Sequence, residues 1–232
     1  MSNPLALSRL LQLSSVSLPV GGYAFSQGLE YAIECGWVKN YDDVEQWINL
    51  QLKENLARVD LPILRGVMES SQALDWPRFH YLNDLAIASR ETKELRLTDT
   101  AMGEALCRLL KSLDFTFPFL VPLENEGAGL AKDELSFVSL FAYAAQCWDI
   151  PFEETATGFT WSWLENQVAA ATKLVPLGQT QAQRLLTLFQ PAIAQTLKQA
   201  VHTLEDNIGG GLPALAIASA LHETQYSRLF RS

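Results

Sequence analysis

The feature that most constrains this chain is the spacing of its apolar residues. They recur every three or four positions in one segment after another and nowhere alternate with polar residues over the length of a strand. Between Asp42 and Val59 they fall at Val44, Trp47, Ile48, Leu52, Leu56 and Val59, which is one stripe of an α-helix. Asp42 and Asp43 suit its first turn, where the helix dipole favours negative charge. Asp60 is expected to cap a second helix, with Pro62 just inside its start where a missing N–H costs nothing. Asp75, ahead of Trp76 and Pro77, repeats that device. A further helix carries Phe152, Ala156, Phe159, Trp163, Val168, Ala171 and Val175 on one side and should stop at Pro176 and Gly178. The last long helix, Gln179 to about His202, contains Pro191 and is predicted to kink.

Two segments depart from this amphipathic pattern. Leu135 to Trp148 is apolar almost all round, through Phe137, Val138, Leu140, Phe141, Tyr143 and Cys147, and is expected to be a near-central helix enclosed by others (about 135–148). Ser89 to about Leu113 begins with mixed charge and ends with Ala105, Leu106, Leu109, Leu110 and Leu113, so it should be half exposed and then buried. The intervening loops at Leu18–Tyr23, Pro118–Gly129 and Asn207–Pro213 are too short to be domain linkers. The expected architecture is an all-α, single-domain bundle of about eight to ten helices over residues 1–232, with a flexible C-terminal tail from about 224 to 232.

Charge narrows the function. Only 19% of the 232 residues are charged, against about 25% in an ordinary domain, which suggests that partner protein covers part of the surface. The net charge of −9 argues against a nucleic-acid track, since such binding rests on clustered Lys and Arg. Cys35, Cys107 and Cys147 are far apart among apolar neighbours and read as reduced core residues of a cytosolic protein. The first 20 residues contain one basic residue, Arg9, with no signal-like pattern, and no run reaches 18 apolar residues. The chain is therefore expected to be cytoplasmic, neither exported nor membrane-spanning.

A search for catalytic chemistry finds little. His222-Glu223 opens like a zinc-protease helix, but Gln225 and Tyr226 stand where the second His would be needed. The remaining histidines are His80 and His202, and there is no C-x-x-C pair to complete a metal cage. Neither Gly21-Gly22 nor Gly209–Gly211 continues as a phosphate loop, and no G-x-S-x-G elbow occurs. No intrinsic metal or cofactor is expected. Polar groups stand out elsewhere. Lys173, near a helix end, either complements the helix dipole or meets a partner. The ending from Leu221 to Ser232 mixes His, Arg and aromatic side chains, as interface hot spots do, although chain ends also fray. Eight acids lie between Glu124 and Glu165 against the single base Lys132, whereas the chain from Asn166 onward carries five bases and three acids. These are either solvated faces or surfaces for a basic and an acidic partner.

Eight strings, in order along the chain, carry a resemblance: Leu10-Leu-Gln-Leu, Leu18-Pro-Val-Gly, Ser26-Gln-Gly-Leu-Glu, Gly36-Trp-Val, Asp60-Leu-Pro, Ser89-Arg-Glu-Thr-Lys-Glu-Leu-Arg, Lys173-Leu-Val-Pro-Leu-Gly-Gln-Thr and His222-Glu-Thr-Gln-Tyr-Ser-Arg-Leu-Phe-Arg-Ser. Together they resemble the urease accessory protein F family over essentially the whole chain. One departure is Gln181-Ala182-Gln183, where that family commonly has a glycine before the second glutamine.

The resemblance implies a non-enzymatic helical protein, a homodimer that assembles with the urease accessory D/H protein and the nickel-carrying GTPase, accessory protein G, on apo-urease. Nickel and GTP would travel on those partners. The resemblance also implies that the tail orders when the D/H protein binds. That role carries over to Tyr226, Arg228, Leu229 and Phe230, with Tyr23 from the opening loop, while Lys173 would face the GTPase. An alternative is a GTPase-activating regulator that lends an arginine to the accessory G protein, for which the candidates are Arg90, Arg96 and Arg228. A third reading, a helical enzyme with a ligand among its tryptophans and His80, draws no support from the resemblance.

Overall fold

The computed structural model describes residues 3–120 and 134–231. These form an all-α bundle with no strand among them: α1 (Pro4–Leu13), α2 (Leu29–Glu34), α3 (Tyr41–Gln51), a π-helical segment (Leu52–Asp60), α4 (Leu61–Ala73), α5 (Trp76–Ala88), α6 (Lys93–Ser112), α7 (Phe137–Cys147), α8 (Phe152–Leu174), α9 (Gln179–His202) and α10 (Pro213–His222). Most of the 118–129 loop, with Glu124 and Glu126, and also Lys132, Asp133 and Ser232, lie outside the described residues.

Side-chain caps set several of the starts. Asn40 Oδ1 accepts from the amides of Asp42 and Asp43, Asp75 Oδ1 from that of Arg78 and Thr92 Oγ1 from that of Leu95, each satisfying an otherwise orphaned donor. Helix α9 runs through Pro191. As expected, α7 is enclosed: every residue from Val138 to Ala145 is buried, and the helix packs against α4, α5, α6 and α8. One apolar cluster surrounds α7, and a second fills the space among α2, α3, α8, α9 and α10.

Asp60 does not cap a new helix. Its backbone is itself helical (φ −64°, ψ −47°) and its side chain caps nothing, because α3, the π-helical segment and α4 form one continuous run. The cause is Pro62, whose ring would crowd the carbonyl four residues earlier, at Arg58. Widening to i→i+5 bonding, as from the Leu61 amide to the Leu56 carbonyl, relieves that crowding. The Arg58 carbonyl then accepts from the Gly209 amide at 3.2 Å. The glycine loop is pressed so close here that a Cβ on Gly210 would collide with the Glu54 carbonyl oxygen.

The segment from Ser89 is half exposed at its charged start, as expected, with Glu91, Lys93 and Arg96 open to solvent, but part of its polar face is turned inward. Glu94, Thr98 and Asp99 are all buried, and Arg90 is paired at Nη2 with Asp60 Oδ1 (2.7 Å) and at Nε with Asp99 Oδ2 (3.4 Å). Asp99 is needed there because its carboxylate caps α7, accepting from the Phe137 amide at 3.1 Å and from Ser136 Oγ at 2.7 Å. Of the cysteines, only Cys107 is buried; Cys35 and Cys147 are exposed because they fall at the ends of α2 and α7.

Candidate functional site: the C-terminal tail and its seat

The chain after α10 folds back over the body. Its backbone is tied down by Glu30, a buried residue in the first turn of α2. Glu30 Oε1 accepts the Leu229 amide at 2.6 Å and Oε2 the Phe230 amide at 2.9 Å. One residue further on, the Arg231 amide donates to the Ala24 carbonyl at 2.8 Å, which fixes the tail's end beside Tyr23. Phe230 is 6% exposed and belongs to the second apolar cluster, and Lys173 Nζ lies 5.2 Å from its ring centroid. Arg228 Nη1 pairs with Glu94 Oε1 at 3.2 Å.

Beneath these contacts lies His222, fully buried, with Nδ1 2.8 Å from Glu94 Oε2 and Nε2 3.1 Å from Glu30 Oε2. The seat is thus built from α2, α6, α10 and the tail around two buried carboxylates. Facing outward are Tyr23, Tyr226 and Leu229, at 65%, 105% and 65% exposure.

Of the residues singled out from sequence, the structure gathers Lys173, Arg228, Leu229 and Phe230 at the seat and puts Tyr23 next to it. Tyr226 is fully solvent-exposed. Sequence reasoning missed Glu30 and Glu94 and considered His222 as a failed zinc motif and as part of an interface-like ending, not as the partner of two carboxylates. All three stand inside strings quoted above. Their partners are more than one hundred residues apart in sequence, and spacing along the chain carries no signal for such a meeting.

The other arginine candidates are also committed. Arg96 pairs with Glu134 Oε2 at 2.6 Å, and Arg90 is locked between Asp60 and Asp99. Burial opposes the Arg90 charge, but the two aspartates outweigh it and hold the guanidinium above its ordinary value. Burial likewise pushes Asp60 up, against the pull of Arg90. This pair lines a cavity of about 110 Å³ together with Gln51 and Asn55, and Gln51 Nε2 has no hydrogen-bond partner among the described residues. His80, one suspect for a core ligand, is satisfied by the Phe119 carbonyl at 2.8 Å. Among the described residues no three His, Cys, Asp or Glu side chains are grouped to hold a metal ion, and no helix is long and apolar enough to cross a membrane.

Comparison with known proteins gives this arrangement its context. The UreF family model matches residues 38–190. The urease accessory protein UreF of Marinomonas sp. (strain MWYL1) is 59% identical over 226 residues, covering 97% of this chain and 94% of that protein. Proteins of the same name from Alkalilimnicola ehrlichii and Pseudoalteromonas translucida are 46% and 43% identical, each covering 100% of this chain and 98% and 96% of their own length. The opening loop and the tail lie outside the stretch matched by the family model, but the full-length relatives span both. With two thirds of the chain matched by that model and relatives aligned from end to end, the chain belongs to the UreF family of urease accessory proteins.

Proposed function

We propose that this chain is a non-enzymatic, cytoplasmic scaffold for urease maturation. In this reading it is a homodimer that holds the accessory D/H protein beside the nickel-carrying GTPase, accessory protein G, on apo-urease. Nickel and GTP are carried by the partners. The observation that carries the reading is the tail: Phe230 and the backbone of Leu229 and Arg231 anchor it, while Leu229, Tyr226 and neighbouring Tyr23 turn large apolar groups to solvent. An anchored segment that exposes aromatic side chains suits protein recognition, because less ordering remains to be done on binding. The tail and the opening loop form the D/H-binding face, and Lys173, exposed at the end of α8, belongs to the face that meets the GTPase.

GTPase activation by a donated arginine has no observation in its favour. Arg90 is buried between two carboxylates, and Arg96 and Arg228 are each paired with a glutamate. Size-exclusion chromatography with light scattering on mixtures of the three accessory proteins tests the scaffold. A ternary species is expected, and it should be lost when Arg228 to Ser232 are deleted; absence of the species with the intact chain would overturn the reading.

A further inference from the structure

The tail is seated on two almost wholly buried carboxylates and a buried histidine. A ring nitrogen of histidine either carries a proton and donates or presents a lone pair and accepts, whereas an ionised carboxylate only accepts. Both nitrogens of His222 face carboxylate oxygens, Glu94 Oε2 at 2.8 Å and Glu30 Oε2 at 3.1 Å. Among the described residues the other partners of those carboxylates are donors: the amides of Leu229 and Phe230 on Glu30 and the guanidinium of Arg228 on Glu94. With both carboxylates ionised, two acceptors flanking one ring are satisfied together only when both nitrogens carry protons.

The charges agree. The groups facing the ring are Glu30 from α2 and Glu94 from α6, with Arg228 from the tail behind Glu94; Lys173 from α8 reaches the same tail through the Phe230 ring. With both acids ionised, Arg228 and His222 balance them only if the imidazole is charged, and an unbalanced charge beside the buried His222, Glu30 and Glu94 is strongly unfavourable.

We propose that the second proton on His222 is a latch for the C-terminal tail. With the ring doubly protonated, Glu30 is held between His222 and the Leu229–Phe230 backbone and the tail is seated. Loss of one proton to solvent turns a ring lone pair toward a carboxylate and leaves net negative charge in the seat. The tail then lets go, carrying Phe230 out from under Lys173. Linkage fixes the direction: seating is favoured while the ring is charged and weakens as pH rises through its deprotonation. This latch regulates the tail that the scaffold reading assigns to the D/H protein and rests on that reading for its consequence, but its test uses the isolated chain, so either can fail without the other.

The test combines nitrogen NMR of histidine-labelled protein with amide exchange at Leu229 and Phe230, corrected for intrinsic rates, from about pH 6 to about pH 9. The expected result is a doubly protonated His222 ring with protected tail amides at the acid end. Above the step at which the ring loses its proton, tail protection should fall about tenfold per pH unit, while the Phe141 amide in α7 keeps its protection. A singly protonated ring coexisting with protected tail amides overturns the latch, as does a ring titration that leaves tail protection unchanged. His222→Gln, which keeps one donor and cannot take a charge, is expected to leave the tail unprotected at every pH. A folded His222→Gln protein with a protected tail also overturns the proposal, and if that variant fails to fold the wild-type measurement decides.

Discussion

Phe230 lies beneath Lys173, with Nζ of the lysine 5.2 Å from the centroid of the ring. Lys173 lies in the last turn of α8 and Phe230 near the end of the tail, so two residues that sequence reasoning assigned to different partners are in contact. A cation over an aromatic face at an exposed position contributes about 0.5–1 kcal/mol, similar to the roughly 0.3–1 kcal/mol of a lysine at a helix C-terminus. Lys173→Ala should therefore cost little global stability and should loosen the tail. A double-mutant cycle with Phe230→Ala, read by urea unfolding, is expected to show a coupling of about 0.5–1 kcal/mol; a coupling of zero would mean that the contact contributes nothing.

Much of the fold was legible in the sequence because it depends on local periodicity. The apolar stripe of α8, the all-round apolar α7 and the Asp75 cap are consequences of neighbours three or four residues apart. What the sequence did not reveal depends on long-range meetings. Asp60 reads as a cap only until Arg90 and the π-helical turn imposed by Pro62 are known. The start of α6 reads as half exposed, and is, but which of its charges turn inward is unknown until Glu94 is found against His222 and Asp99 against the start of α7. The tail residues were identified through resemblance; that Glu30 holds their backbone was visible in no spacing.

Gly103 leaves the least room for a Cβ among the described glycines. It lies in α6 where the Leu135 carbonyl, just ahead of α7, approaches so closely that a Cβ would overlap the carbonyl oxygen and sit 2.9 Å from its carbon. Backbone cannot move aside as a flexible side chain would. Gly103→Ala, although better for helix propensity by about 1 kcal/mol, is expected to destabilise the protein by about 1–3 kcal/mol or more through forced displacement of α7. Thermal melting checks this, and an unchanged or higher melting temperature would refute the close approach.

Leu74 caps the C-terminus of α4 in a left-handed conformation, φ 57° and ψ 29°, with its amide donating to the carbonyls of Ser70 and Ser71. The side chain is 68% exposed, so it offers little burial to offset a backbone strain of roughly 1–2 kcal/mol for a residue with a Cβ. Glycine adopts this conformation freely and is the usual residue at such helix ends. Leu74→Gly should raise stability by about 0.5–1 kcal/mol, measured as a higher urea midpoint with an unchanged slope. A lower midpoint would show that the exposed leucine packs better than its accessibility indicates.

Arg90 and Asp60 should make the stability of this protein respond to acid in a way that surface charges do not. Burial holds the Asp60 carboxyl above its ordinary value despite the attraction of Arg90. The folded chain therefore keeps that proton to a higher pH than the unfolded chain, and the Asp60 contribution to stability declines as pH rises from the ordinary carboxylate value through the raised one. Asp60→Asn removes this decline, so the stability difference between wild type and variant should shift in favour of the variant from about pH 4 to about pH 7. Arg90→Met is the stronger test. It leaves two buried carboxylates without their cation, a loss of about 3–5 kcal/mol near neutral pH, and protonating those carboxylates should recover part of it. Urea unfolding at both ends of that range should find the Arg90→Met deficit smaller in acid; an equal deficit would assign the loss to packing of the arginine side chain instead of its charge.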